Sequence, residues 1–208
     1  ARINAARIEL RLNHPNNARD WLDLALGTLK DFEPSHDKAV NLLQVGLGYQ
    51  RLRALMPAMN APLLLRASGV LVEAAIVADQ IADARMRSYA DGYLGHLYET
   101  EYRFDEALHL TRQAVFSAQS ANAPESLFRW QWQLGRLLAA TGKLHEAIAS
   151  YSHATATLRP IRREVDSAWE TDSFSGEDSV RGVFFELADL LLHRASLTGD
   201  SQEAEPDL

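Results

Sequence analysis

The chain has 208 residues, of which 47% are hydrophobic and 24% charged, so it is long enough for one domain or one array of repeats and too apolar for wholesale disorder. It contains no cysteine, which excludes disulfides, thiolate metal sites and a cysteine nucleophile within these residues and fits the reducing cytoplasm, where we expect the protein to act. The net charge of −7 argues against binding to duplex nucleic acid.

The longest apolar stretches, 61–65 and 70–78, are interrupted by Arg66 and Glu73. Each is much shorter than the roughly 20 apolar residues that a membrane span needs. We therefore expect no membrane-spanning segment and no membrane partner.

Apolar residues recur at positions i, i+3, i+4 and i+7 along most of the chain, which is typical of amphipathic helices. In chain order the pattern predicts nine helices, at about 1–12, 17–31, 37–54, 62–82, 86–100, 104–120, 125–140, 144–159 and 179–196. Pro124 suits the first turn of a helix, and Gly142 suits the position just after a helix ends. The predicted fold class is all-α.

Two parts of the chain repeat one spacing. Gly95 lies twelve residues before Ala107, and Gly135 lies twelve residues before Ala147. Each glycine follows a leucine and precedes a tyrosine or leucine by three positions. We call the step from Gly95 to Gly135 the repeat period. Counting backward by this step from Ala107 gives Ala67. Gly46 follows Ala25 at the same distance at which Gly95 follows Ala74 and Gly135 follows Ala114. The set of small packing residues is therefore Gly46, Gly95, Gly135, Ala67, Ala107 and Ala147.

A glycine inside a helix costs about 1 kcal/mol relative to alanine, so its recurrence requires a structural reason. Small residues allow two helices to approach to about 8–10 Å. We therefore expect Gly95 to face Ala107 and Gly135 to face Ala147. The predicted architecture is a right-handed superhelical solenoid of antiparallel helix pairs.

Four regions follow from this pattern. Residues 1–159 contain about four helix-pair repeats. The helical period is lost in 160–179, which is rich in Asp, Glu, Ser and Gly and is predicted to be an acidic loop. A further repeat-like helix is expected at 180–196 and an acidic tail or linker at 197–208.

The repeat resembles the tetratricopeptide repeat (TPR), whose pattern is W-x2-L-G-x2-Y, then A-x3-F, then P. The resemblance covers nearly the whole chain in the L-G-x2-Y and A-x3-aromatic parts. The chain departs from it at Asp91 and Gln131, which stand where the pattern has Trp, and the closing proline survives only as Pro160. The repeat period, from Gly95 to Gly135, is also longer than that of the TPR.

Three strings are similar to the repeats that precede CHAT domains: Leu42–Gly46, Ser88–Glu99 and Phe185–Leu192. CHAT domains are caspase-like, with a His and Cys pair, and follow the repeats in the chain. This resemblance implies that the sequence is the recognition or regulatory array of a longer protein, with its own C-terminal domain as a partner. A first residue that is Ala and not Met agrees with that expectation.

The residues carry no pattern of catalysis. None of the seven histidines has another histidine four positions away, and pairs such as Glu106 with His109 give only two of the ligands that a metal site needs. Neither a phosphate-binding glycine loop nor a G-x-S-x-G turn is present. We therefore expect no enzyme activity, cofactor or metal in this part of the protein.

Binding is the function that the pattern favours. In a solenoid of helix pairs the first helices line the concave face, and positions beside the packing stripe point into the groove. Those positions are aromatic and basic, which suits an acidic or C-terminal peptide. The candidate groove residues are Gln50, Arg51, Tyr89, His96, Arg129, Trp132 and Arg136.

Alternatives remain open. Trp132 could pack inside the solenoid while the arginines reach water, and we expect Trp21, Tyr93 and Trp130 in the core. The last helix, with Phe184 and its neighbours, could instead pack against the missing effector domain and control it. Stacking of single-stranded nucleic acid on aromatic residues is disfavoured by the net charge.

Overall fold

A computed structural model of the chain describes residues 1–169 and 181–203, with the side chains of 1–162 and 181–196. These residues form nine α-helices and one short 3-10 helix, Pro57–Met59, and they contain no strand, so the predicted all-α class is confirmed. The α-helices are α1 (Arg2–Arg11), α2 (Pro15–Leu29), α3 (His36–Leu55), α4 (Asn60–Gln80), α5 (Ala84–Thr100), α6 (Phe104–Ser120), α7 (Pro124–Ala140), α8 (Leu144–Trp169) and α9 (Gly182–Glu203).

The connections between α4 and α8 share one turn geometry. In each, a residue with positive φ follows the helix, and the next N–H donates to the carbonyl five residues back at 2.8–3.0 Å. This is the Schellman arrangement, which satisfies the last carbonyl groups of a helix. The residues with positive φ are Ala82, Tyr102, Asn122 and Gly142. The predictions for Gly142 and for Pro124, which begins α7, are confirmed.

The chain divides into two compact units, residues 1–126 and 127–208. In unit 1 each helix from α1 to α6 packs on the next, and α3 also contacts α1 and α5. Its core contains fully buried side chains such as Leu22, Tyr49 and Leu71. A short connection joins α3 to α4 and another joins α4 to α5, and each pair packs side by side, so the chain reverses direction twice. α3 and α5 therefore run in the same direction and form one row of first helices.

Unit 2 has its core between α7, α8 and α9. Phe128, Trp132, Tyr151, Leu158 and Val183 are each at most 3% exposed and form one cluster. Partly buried apolar side chains from the end of α8 and from α9 surround it. The last helix is therefore part of the core of this unit.

The repeating glycines do allow close packing. A Cβ atom on Gly46 would lie 2.9 Å from the Leu71 side chain and 3.6 Å from the carbonyl oxygen of Ala67. On Gly135 it would lie 2.5 Å from the ring of Tyr151, one turn beyond Ala147. The nearest neighbour of Gly135 is thus Tyr151 and not the predicted Ala147.

The other members of the packing set are also buried. Ala67, Ala107 and Ala147 have no exposed surface, and Gly95 lies in the buried part of α5. The pairing of Gly95 with Ala107 stays a prediction.

The predicted loop at 160–179 is wrong for its first ten residues. α8 continues through Pro160 to Trp169, although proline removes one hydrogen bond from the helix interior. Ile161, the next residue, packs against the core of unit 2, and this burial offsets the lost bond. Residues 170–179 of the predicted loop lie outside the described residues.

The predicted boundary between the last helix and an acidic tail at 197 is also wrong. α9 runs to Glu203. The sequence pattern placed a tail there because the chain ends on an acidic run, 203–207, and α9 reaches the first residue of that run. The remainder of the tail, 204–208, lies outside the described residues.

By length and composition alone, the segment Pro57–Gln80 is long and apolar enough to cross a membrane. The expectation of no membrane-spanning segment missed it because we considered only apolar stretches without a charged residue. Core helices of globular proteins pass the same test. α4 buries eight side chains in unit 1 and exposes others, such as Leu65 at 72% and Ile76 at 51%. α4 packs against α3 and α5, so it is a core helix of unit 1 that also has apolar side chains on its exposed side.

Candidate peptide-binding surface

Unit 1 brings three of the predicted groove residues to neighbouring helices. Arg51 is on α3, and Tyr89 and His96 are on α5, which contacts α3. At about 100° per residue, each lies roughly 100–140° around its helix from the buried glycine, Gly46 or Gly95. The three side chains therefore belong to one side of the row of first helices. We call Arg51, Tyr89, Tyr93 and His96 the α3–α5 surface.

Tyr93 joins this surface instead of the predicted core. It is half-buried, and its ring stacks on that of Tyr89 with centroids 6.3 Å apart and planes 18° from parallel. The two tyrosines are four residues apart, which places them one above the other on a helix. The pair forms an aromatic platform that remains in part accessible.

His96 lies at the end of this platform. Its Nδ1 is 3.1 Å from the carboxylate of Glu99, one turn further along α5. This contact orients the imidazole and places a carboxylate beside it. The α3–α5 surface therefore combines two phenol rings, a guanidinium and a histidine–glutamate pair.

Gln50 lies elsewhere. It is one turn after Gly46, whose face packs against α4, so it shares that side of α3 and not the side of Arg51. Its Oε1 atom is buried and accepts no hydrogen bond from any residue in the described ranges. The structure thus separates Gln50 from the other predicted residues of unit 1.

Trp132 is in the core of unit 2, where it is 2% exposed. We expected the indole of Trp132 to point into an open groove. In the structure α9 covers this indole. Its Nε1 donates to the carboxylate of Glu186 at 2.8 Å, and the Tyr151 hydroxyl donates to the same oxygen at 2.6 Å. Two donors on one carboxylate fix the position of α9 over the indole.

The first turn of α9 fits closely against this indole. A Cβ atom on Gly182 would lie 3.0 Å from the Trp132 ring, and Val183 next to it is fully buried in the cluster. α9 thus presents an apolar side chain and, three residues later, an acid to Trp132. This is the chemistry that the sequence predicted for an external ligand, supplied by the chain itself.

The two predicted arginines of unit 2 lie on α7 and are half-buried. The guanidinium carbon of Arg136 is 5.3 Å from the centre of the Trp132 ring, which is a cation–π contact. Arg129 precedes Trp132 by three residues and lies on the same side of α7. Both arginines therefore border the position that α9 occupies.

Sequence reasoning missed the acid that binds Trp132, because a pairing between residues 132 and 186 has no signal in local spacing. Of the three tryptophan and tyrosine side chains assigned to the core, only Trp130 is buried, at 3% exposure. Trp21 is 37% exposed. No group of three or more His, Asp or Glu side chains among the described residues is arranged to hold a metal ion.

α9 also has an exposed apolar side. Phe185 is 68% exposed, Leu191 38% and Leu192 70%. Phe185 and Leu192 are seven residues apart, which places them on one face two turns apart. We call these three side chains the outer face of α9.

No protein-family model matches the sequence, and a comparison with curated proteins finds no match. Solved structures do resemble the fold. BtubC (BKLC) from P. vanneervenii is 20% identical with a TM-score of 0.63, over 76% of this chain and 61% of that chain. The chain therefore spans less than two thirds of the length of that protein.

A kinesin light chain of Podosopora anserina with nearly identical TPR-like repeats is 14% identical with a TM-score of 0.62, over 98% of this chain and 95% of that one. The apo form of RapI is 9% identical with a TM-score of 0.63, over 95% and 70%. At these identities the likeness concerns the fold. The chain has a TPR-like helical-repeat fold.

Proposed function

We propose that this chain is a non-catalytic scaffold that binds an acidic protein segment on the α3–α5 surface. The observation that carries the proposal is the stacked pair of Tyr89 and Tyr93 beside His96, on the helix next to the one that holds Arg51. Stacked, partly accessible rings provide flat apolar area with little loss of side-chain freedom, and a guanidinium binds carboxylates in a bidentate manner.

The interior of unit 2 supports the ligand chemistry. Trp132 and Tyr151 hold Glu186 of α9, with a buried valine three residues before it. The same chain thus uses an aromatic surface with a nearby arginine to hold an acidic, partly apolar helix. We infer that the α3–α5 surface, which also combines aromatic rings with an arginine, selects a ligand of the same kind.

The test is a fluorescence anisotropy titration with an acidic peptide in which leucine separates the glutamates. Arg51→Ala and Tyr89→Ala are compared with the parent and with Lys30→Ala, which removes an exposed cation elsewhere in unit 1. We expect each surface variant to lose about 1–3 kcal/mol of binding free energy and the control to lose almost none. Added salt should weaken the parent complex because its contacts are at a wet surface.

Equal affinities in the parent, Arg51→Ala and Lys30→Ala would contradict the proposal. A loss confined to Arg136→Ala would move the site to unit 2. Thermal unfolding of each variant separates a binding defect from a folding defect. A cytoplasmic location, expected from the absence of cysteine, is part of the same proposal.

A second candidate function is regulatory, and the outer face of α9 favours it. Phe185 and Leu192 expose apolar surface on a helix whose other side is already packed in unit 2. In the arrangement that the CHAT resemblance implies, this face would contact the effector domain. Phe185→Ser with Leu192→Ser should abolish that contact and leave binding of the acidic peptide unchanged, whereas the Tyr89 variant should do the reverse.

A further inference from the structure

The repeat period pairs Asp91 with Gln131 and Ser117 with Thr157. In the α7–α8 pair these positions are joined, because the Thr157 hydroxyl donates to Oε1 of Gln131 at 2.8 Å. The Ser150 hydroxyl donates to the backbone carbonyl of Gln131 at 2.7 Å. Gln131 is 8% exposed, so this layer of the helix pair is closed by its own hydrogen bonds.

The same layer of the α5–α6 pair is open. Among the described residues no hydrogen bond joins Asp91 to Ser117, and both side chains line a cavity of about 370 Å³ that opens to solvent. The lining residues come from the end of α4 and from α5 and α6: Asp79, Arg87, Asp91, His109, Arg112, Gln113, Phe116 and Ser117.

Several residues that line the cavity differ from the residues at the corresponding positions of the α7–α8 pair. Five of its charged or aromatic positions correspond to residues that are polar and neutral or apolar one repeat period later. The pairs are Arg87 with Leu127, Asp91 with Gln131, His109 with Ala149, Arg112 with Ser152 and Phe116 with Ala156. Because the α7–α8 pair is formed without these groups, a helix pair of this spacing does not need them in order to form.

One wall of the cavity has an excess of negative charge. Nε of Arg87 is 2.6 Å from the Asp91 carboxylate, and the same guanidinium forms an ion pair with Asp79. A single cation is thus shared by two carboxylates. Asp91 is 2% exposed, and burial raises its pKa even though Arg87 acts in the opposite direction.

The wall formed by α6 has an excess of positive charge and of hydrogen-bond donors. Arg112 is exposed and has neither an ion pair nor a hydrogen bond among the described residues. Gln113 and Ser117, which also line the cavity, add an amide and a hydroxyl. Phe116 stands beside them with 71% of its surface exposed.

We propose that this cavity binds a small zwitterion, an α-amino acid with an apolar side chain. Its ammonium group would lie against Asp79 and Asp91, its carboxylate against Arg112, and its side chain on the ring of Phe116. A volume of about 370 Å³ is at the lower end of ligand sites, which suits a single amino acid. The site is separate from the α3–α5 surface and from the proposed scaffold function.

The test uses the whole chain and three probes in a nuclear magnetic resonance titration. L-Phenylalanine has both charges, N-acetyl-phenylalanine lacks the ammonium, and phenylalanine amide lacks the carboxylate. We expect the free amino acid to shift the amide signals of α5 and α6 and to bind about tenfold or more tightly than either derivative, because each derivative leaves one wall without its partner.

Two variants introduce the residues of the other helix pair at exposed positions. Arg112→Ser should make phenylalanine and its amide bind equally, and Phe116→Ala should weaken both. Lys143→Ser, an exposed cation in unit 2, is the matched control and should bind as the parent does. Equal binding of the three probes to the parent, or shifts that persist unchanged in Arg112→Ser, would overturn the proposal, as would the absence of any shift in α5 and α6.

Discussion

The helix pairs α5–α6 and α7–α8 are built on the same sequence spacing and use different means to satisfy a buried polar layer. Both pairs have a buried glycine in the first helix and a left-handed residue in the turn. In α7–α8 the layer is closed by Gln131 and Thr157, whereas in α5–α6 a buried carboxylate is held by Arg87 beside a cavity. Small residues therefore set the register, and the polar layer is free to differ.

The largest expected effect comes from removing the cation of the open layer. Arg87→Ala leaves Asp91 buried without its partner, and since Arg87 is partly exposed we expect a loss of about 2–3 kcal/mol of unfolding free energy. Urea denaturation measures it. Arg85→Ala, which removes an exposed ion pair with Glu125, is the control and should cost less than about 1 kcal/mol. Similar losses in both variants would show that Asp91 does not depend on Arg87.

The next effect concerns the close approach in α7–α8. Gly135→Ala places a Cβ atom 2.5 Å from the Tyr151 ring, and we expect a loss of about 2 kcal/mol through overpacking. Gly69, inside α4, has no atom within 4 Å of the equivalent point, so Gly69→Ala should gain up to about 1 kcal/mol from helix propensity. Thermal unfolding of the two variants would show opposite shifts. A stable Gly135→Ala would contradict the packing described for unit 2.

The closed and open layers should respond differently to loss of a hydroxyl. Thr157→Val leaves Oε1 of Gln131 without its donor, and we expect a loss of about 1–2 kcal/mol. Ser117→Ala removes a hydroxyl that makes no hydrogen bond among the described residues, so its effect should stay within about 0.5 kcal/mol. Chemical denaturation of both decides the point, and equal effects would remove the distinction between the two layers.

The smallest effect is in the turns. Ala82 adopts a φ of 54°, a conformation that costs an alanine more than a glycine. Ala82→Gly should therefore stabilise the chain by about 1 kcal/mol, and Gly142→Ala, at a φ of 77°, should destabilise it by a similar amount. Melting temperatures should move in opposite directions. A lower melting temperature in Ala82→Gly would show that the freedom of glycine in the unfolded chain dominates.

Much of the fold follows from the sequence because the repeat is periodic. The spacing of small residues predicted helix pairs, and local signals at Pro124 and Gly142 predicted where α7 begins and where α8 is separated from it. The same reasoning failed at Pro160, where burial of Ile161 outweighs the break that proline predicts. Sequence rules for helix ends are correct where local residues determine the end of a helix. They fail where packing against other helices determines it.

The candidate sites were less predictable than the fold, because some of their contacts are made by helices that are distant in the sequence. Helical spacing placed Arg51, Tyr89 and His96 on one side of their helices, because that side depends only on the repeat. Trp132 lies about 60° around α7 from Gly135, nearer to the packing side than those three residues, and it is covered by α9, a helix that lies far from it in the sequence. The cavity at Asp91 could not be predicted from the sequence, because its lining residues come from α4, α5 and α6 and meet only in the folded chain.

The turn spacing described for α4 to α8 makes the chain modular. α5, α6 and α7 each have 17 residues, about 25 Å of helix, and a short turn of constant length completes each step. A block of one repeat period therefore begins and ends at the same point of the turn, so duplication or deletion of one block leaves the neighbouring helix ends unchanged. Blocks joined in this way can differ in their polar layer without a change of helix length or turn, as the closed layer at Gln131 and the open layer at Asp91 do.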